Sequence, residues 1–179
     1  MRHLARGRGF SMVELLITLA ILGILLTLAV PSFSTYLATN RLRAAADNIL
    51  SGLQLARAEA IHQNTATSFV FDTSSNNWVV QLASDYAAGV APCSAITYIQ
   101  RSCSESTGVT ATSTFTAASL AQVAFTSDGR LSTSSNTPVI SLSAASTSAT
   151  LRIALSGGGQ ARLCDPANST IGDPRNCNS

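Results

Sequence analysis

The sequence predicts an α+β chain, a long amino-terminal helix packed on a mostly antiparallel sheet, and three observations predict it. Residues 10–30 form one apolar run, FSMVELLITLAILGILLTLAV. Leu42, Ala46, Ile49, Leu53, Ala56 and Ala60 then recur at alternating steps of four and three, the spacing of one helix face. After Asn64 the period shortens, and β-like runs separated by turn formers fill the rest of the chain. A helix first and strands afterwards describes a layer pair in which the carboxy-terminal half of the helix is covered by the sheet.

Composition narrows the chemistry. The chain has 179 residues, one domain of ordinary size plus appendages, and only 11% of them are charged. Ser and Thr take the place of charge, at 25 and 19 residues. All 11 basic residues are Arg, and the absence of Lys excludes P-loop, Schiff-base and Ser-Lys mechanisms. Arg2, Arg6 and Arg8 stand in the first eight residues with no acid among them.

The apolar run is long enough, as a helix of about 30 Å, to cross a bilayer. Basic residues before an apolar stretch also describe a secretory leader, and residues 27–29 would serve as a small-residue cleavage site. Two features oppose that reading: Glu14 lies inside the run, and Gly9-Phe10 precedes it. A carboxylate in the membrane costs about 2.5 to 3.5 kcal/mol on insertion scales, so Glu14 calls for a cationic partner.

Arg8-Gly9-Phe10-Ser11-Met12-Val13-Glu14-Leu15-Leu16 resembles the prepilin signature of type IV pilins and type II secretion pseudopilins. The resemblance implies that a prepilin peptidase removes residues 1–9 by cutting after Gly9 and methylates the new terminal Phe10. It implies that the helix stays on the mature chain and that Glu14 neutralises the amino terminus of a neighbouring subunit during assembly. That α-amine is the cation Glu14 calls for. The implied partners are the peptidase, the inner membrane and other pilins or pseudopilins through the amino-terminal helix. The implied location is the bacterial inner membrane, single-pass, with a periplasmic carboxy-terminal domain, and then the pilus or pseudopilus.

Pro31 removes a backbone donor, so a kink or local unwinding is expected there. The helix resumes to about residue 63, with Arg41, Arg43, Asp47, Ser51 and Gln54 on the solvent side, Arg43 and Asp47 as an i,i+4 pair, and Leu55 on the back for a subunit contact. Ala56-Arg57-Ala58-Glu59-Ala60-Ile61 resembles the helix end of the GspH/FimT minor pseudopilins, where small Ala residues let a sheet approach closely.

The expected strands are residues 67–71, 78–82, 123–126, 139–142, 151–155 and 161–164, within a globular part at 64–179. Residues 84–119 read as a variable loop with a short strand at 96–99. Cys93, Cys103, Cys164 and Cys177 are even in number and would lie outside the cytoplasm, so disulfides are expected. Three connectivities stand open; the local one closes loops of 11 and 14 residues. No pair has CxxC spacing and His62 is the one histidine left after processing, so no metal is expected.

Catalytic chemistry is not expected. The stretch from Phe71-Asp72-Thr73-Ser74 to Trp78-Val79 is similar to the first catalytic loop of pepsin-like proteases, but Ser74 replaces the Gly and no second motif completes a carboxylate pair. A hairpin turn explains it. Ser156-Gly157-Gly158-Gly159 lacks a phosphate-binding Lys and reads as a flexible hairpin loop, and no Ser is placed beside His62 for a triad. No cofactor is expected.

One window remains. Residues 129–164 hold no acid and carry Arg130, Arg152 and Arg162, to which Arg175 in the tail is added. In FimT-like members, the strand ending Arg-Leu-Cys-Asp-Pro carries a Gly-Arg-x-Arg motif associated with DNA binding. Here the matching residues are Gly159-Gln160-Ala161-Arg162, with Gln160 in place of the first Arg. Three neutralised phosphates would mean weak binding, falling about 40-fold between 50 and 200 mM salt. The expectation is therefore a GspH/FimT-type minor pilin or pseudopilin, with a DNA-binding minor pilin for DNA uptake as the alternative and a secreted binding protein with an ordinary leader as the third reading.

Overall fold

The computed structural model describes residues 10–86, 89–103, 108–114, 120–132, 138–170 and 172–177. The expected leader 1–9, including Gly9, lies outside them. The first element is a single helix, α1, Met12–His62. Ser11 opens it: its carbonyl accepts from the Leu15 N–H at 3.1 Å and its hydroxyl from the Val13 N–H at 3.3 Å. Those two bonds supply an N-cap, and Glu14 adds a carboxylate to the first turn, where it favours the helix dipole. Helical backbone continues through position 31, so the chain does not unwind at Pro31 as expected. A proline forfeits one bond of the ladder while the neighbouring turns keep theirs. The helix ends at Asn64, whose φ of 48° takes the left-handed turn while the Thr65 N–H donates back to the Ala60 carbonyl at 3.2 Å.

The chain divides into two units after Leu37. In the first, the large apolar side chains from Phe10 to Leu26 are all more than half exposed. Among the described residues no helix is long and apolar enough to cross a membrane. Side chains 28–30 of the expected span lie outside the described residues.

The second unit, Ala38–Ser179, holds eight strands among its described residues: β1 Thr67–Asp72, β2 Trp78–Leu82, β3 Gln100–Ser102, β4 Val109–Ser113, β5 Leu120–Phe125, β6 Val139–Ala144, β7 Thr150–Leu155 and β8 Ala161–Cys164. They form two four-stranded sheets, β3-β2-β1-β5 and β4-β6-β7-β8, antiparallel throughout. Alternation sorts each strand: Phe69, Phe71, Val80 and Val123 from one sheet, and Ala111, Ile140, Leu142 and Ile153 from the other, join Leu42, Ala46, Ile49, Leu53, Ala56 and Ala60 of α1 in one core. Every helix position expected on the buried face is there, at 0–1% exposure.

Gly52 sets how closely sheet and helix approach. A methyl group there would lie 2.7 Å from Phe69 and 2.9 Å from Trp78. Beside it the Trp78 indole N–H donates to the Asn48 amide oxygen, and the buried Thr67 hydroxyl donates to the Ala56 carbonyl at 2.7 Å.

Three expectations need correction. The strand expected at 96–99 is displaced: Pro92–Ser94 is a 3-10 turn, Ile96 is 96% exposed, and the strand begins at Gln100, just after the Ile99 N–H donates to the Val80 carbonyl of β2 at 2.7 Å. β4 lies inside the expected loop and was not anticipated. Arg43 and Asp47 form no ion pair; among the described residues the ion pairs are Arg130 with Asp128 and Arg175 with Asp173.

Candidate functional site

Two places in the chain concentrate features that the fold alone does not require. The first is the start of α1. Phe10 is 78% exposed, and Glu14 makes no hydrogen bond or ion pair with any described residue. An exposed apolar cylinder needs either lipid or other helices around it, since a large bare apolar surface in water marks an interaction site. A carboxylate at its head with no partner among the described residues is available to a cation on another molecule.

The second is a junction at the other end of α1. The turn after β5 runs from Thr126 to Arg130: the Thr126 N–H donates to the Arg130 carbonyl and the Gly129 N–H to the Thr126 carbonyl, both at 2.8 Å. The turn between β7 and β8 is built alike, the Gly159 N–H donating to the Ser156 carbonyl and the Ser156 N–H to the Gln160 carbonyl. Gly129 and Gly159 have φ of 76° and 77°. They touch: a methyl group on Gly159 would lie 2.0 Å from the Gly129 carbonyl oxygen, and one on Gly129 would lie 2.6 Å from Ile61. Arg57 closes the junction, its Nε donating to the Gly129 carbonyl at 3.0 Å. Ser156-Gly157-Gly158-Gly159 is thus a packed turn that joins the two sheets to the helix end, where a flexible loop was expected. Arg57 carried no sign of this role in the sequence; the two Gly-containing turns were the available signal.

The tempting catalytic aspartate is a turn hub. Asp72 Oδ1 accepts from the Ser74 N–H at 2.9 Å and the Ser74 hydroxyl at 2.6 Å, and Oδ2 from the Ser75 hydroxyl at 2.8 Å. Partial burial works to raise its pKa, but the hydrogen bonds from Ser74 and Ser75 outweigh it and hold the carboxyl below its ordinary value. A carboxylate kept ionised in this way is the opposite of one that shares a proton.

The cysteines pair locally, Cys93 with Cys103 and Cys164 with Cys177, with Cα separations of 5.7 and 5.1 Å. The second bridge ties the tail to the end of β8, where the Asp165 N–H also donates to the Arg175 carbonyl at 2.7 Å.

The four arginines considered for DNA are dispersed. Arg130 sits in the junction turn 3.6 Å from Asp128. Arg175 lies 2.9 Å from Asp173, whose carboxyl it drives well below the usual range with help from its own N–H and the Asn168 amide. Arg162 donates to the carbonyls of Asn176 and Cys177 at 3.3 and 3.2 Å. Arg152 is on the outer face of the second sheet, as expected from alternation, but half-buried, with its Nε enclosed and unpaired. Only Arg152 and Arg162 share a sheet face.

The family profile of the type II transport protein GspH matches residues 45–159, and that of the prokaryotic N-terminal methylation motif matches residues 4–30. Among solved structures, the type IV minor pilin FimU of Pseudomonas aeruginosa is similar in two crystal forms. The P21 form has a TM-score of 0.55 at 18% identity over 74% of this chain and 95% of that one. The P65 form has a TM-score of 0.55 at 19% identity over 73% and 98%. The minor pseudopilin EpsH from the type 2 secretion system of Vibrio cholerae gives a TM-score of 0.51 at 13% identity over 72% of this chain and 99% of that one. At these identities the likeness is one of fold. No curated protein sequence matches the chain.

Proposed function

This chain belongs to the type II transport protein GspH family, and we propose that it acts as a minor pilin or pseudopilin, a non-catalytic subunit assembled through its amino-terminal helix into a type IV pilus or type II secretion pseudopilus. The observation that carries the reading is the exposed apolar face of residues 10–26 headed by Glu14, which has no partner among the described residues. Such a helix is stable either in lipid or among copies of similar helices, and a filament subunit uses both in turn.

In this reading prepilin peptidase cuts after Gly9, Phe10 is methylated, and residues 10–30 hold the precursor in the inner membrane until assembly. Glu14 then neutralises the terminal amine of a neighbour. Losing one partner of a desolvated ion pair leaves the other uncompensated, at a cost of about 3 to 5 kcal/mol. Glu14→Ala is therefore expected to leave the amount of processed, membrane-bound protein unchanged and to abolish its cross-linking in cells to neighbouring filament subunits. A cross-linking pattern identical to wild type would contradict the role. DNA binding is not part of this proposal, because Arg130 and Arg175 face acids and Arg162 is engaged with tail carbonyls.

A further inference from the structure

Ser68, Val70, Val79 and Gln81 point away from the helix on the outer face of the first sheet, yet none is more than 5% exposed. The chain between β2 and β3 lies over them as a cover, through 3-10 turns at Ala83–Asp85 and Pro92–Ser94, and the Cys93–Cys103 bridge closes it. By its own contacts the cover adheres weakly. Among its described residues from 83 to 98, Pro92 alone is buried. The backbone hydrogen bonds that anchor it among the described residues are at its ends, from the Ala83 N–H to the Ala66 carbonyl at 2.9 Å and from the Ile99 N–H to the Val80 carbonyl at 2.7 Å. Beneath it a space of about 230 Å³ remains over Val70, Val79 and Gln81. A segment with one buried side chain and unfilled space under it gains little from packing, so the bridge is what holds it down.

The two bridges differ in access. Cys93 and Cys103 are both exposed, whereas Cys164 is 2% exposed and Cys177 is half-buried. Thiol–disulfide exchange needs direct attack on a sulfur, so an exposed bridge reacts from the folded state and an enclosed one only after local opening. Arg101 adds to the difference. It precedes Cys103 on β3, donates to the Cys93 carbonyl at 3.2 Å and lies 4.4 Å over the Tyr98 ring. A guanidinium held beside Cys93 favours departure of that sulfur as a thiolate.

We propose that Cys93–Cys103 is a thiol–disulfide exchange site for a dithiol, and that the bridge latches the cover over the first sheet. A thiolate of the dithiol attacks Cys103 Sγ, forms a mixed disulfide and expels Cys93 as the thiolate beside Arg101. The second thiol then closes the dithiol into its own disulfide and expels Cys103. Two electrons pass to the bridge, and the two protons of the dithiol end on the two cysteines. The reduced chain keeps Cys164–Cys177 and its core, and it presents Val70 and Val79 as an apolar sheet face that the oxidised chain hides.

To test this, the full chain in detergent micelles is treated with dithiothreitol without denaturant, and its alkylated cysteines are located by mass spectrometry. Cys93–Cys103 is expected to open about tenfold faster than Cys164–Cys177, or more. Arg101→Gln is expected to slow that opening about threefold, the scale of an exposed charge contact, and Arg101→Lys, which keeps the charge, to slow it less. In methyl NMR with a soluble paramagnetic probe, the Val70 and Val79 methyls are expected to be reached in the reduced chain and shielded in the oxidised one. Cys93→Ser with Cys103→Ser is expected to expose the same methyls without reductant while the Trp78 fluorescence of the folded chain is retained, which separates opening of the cover from unfolding. Faster exchange with a Cys-Gly-Gly-Cys peptide than with dithiothreitol at equal thiolate concentration assigns the reductant to a protein, and slower exchange assigns it to a small dithiol. Equal opening of the two bridges, a rate untouched by Arg101→Gln, or methyls still shielded in the reduced chain and the double variant overturns the proposal.

Discussion

Gly159 has a left-handed backbone and a carbonyl oxygen where its Cβ would be, so it has two independent reasons to be glycine. Strain of that kind costs about 1 to 3 kcal/mol before the clash is counted. Gly159→Ala is expected to destabilise the domain by about 3 kcal/mol or more, while Gly158→Ala, whose methyl would meet only the Ser156 hydroxyl at 3.8 Å, is expected to change little. Urea unfolding followed by the fluorescence of the buried Trp78, the chain's single Trp, reads both. Asp72 makes a prediction of a different kind. Its folded carboxyl titrates below the unfolded one, so its contribution is complete above the ordinary carboxylate range and is lost as pH falls through the lowered folded value. Replacing it with Asn is expected to flatten part of the acid side of the stability profile, measured as urea midpoints from about pH 6 down to about pH 2.

At the scale of elements, the two disulfides act on different things. Cys164–Cys177 holds the tail that supplies the two carbonyls bound by Arg162, whereas Cys93–Cys103 closes the cover over the first sheet. In the chain-entropy account a loop of this length contributes about 3 kcal/mol. Cys164→Ser with Cys177→Ser is expected to destabilise by up to about that amount and to raise amide hydrogen exchange at Asp165 and Asn176 while leaving β1 and β2 protected. The helix face was legible because six apolar residues at regular spacing all meet the core. β4 was not legible, because Val109 and Ala111 are its only buried side chains in a run of Ser and Thr. β3 reads Gln-Arg-Ser and is a strand through its pairing with β2 alone. The junction of Arg57, Gly129 and Gly159 was hidden for another reason: its parts lie far apart in the chain, and both turns enter it through backbone atoms, which leave no side-chain pattern for Arg57 to match. The start of α1 was the most legible region, because the residues that mark it act as a contiguous motif.

For the molecule as a whole, the formal charge is +2, and the proposed removal of residues 1–9 would change it. Loss of Arg2, Arg6 and Arg8 leaves 8 Arg against 9 acids, a net charge of −1. The amino-terminal arginines then read as an orientation signal that keeps the leader on the cytoplasmic side. The remaining surface is sparsely charged and rich in Ser and Thr, which suits a subunit packed among others. All of this depends on where the mature chain begins. Expressing the full chain with and without prepilin peptidase and determining the amino terminus by mass spectrometry tests it most directly. With the peptidase, a chain beginning at methylated Phe10 and retaining the apolar helix is expected; without it, residues 1–9 remain. A cut after Ala29 in either case, which would discard the helix and Glu14 together, would contradict the account.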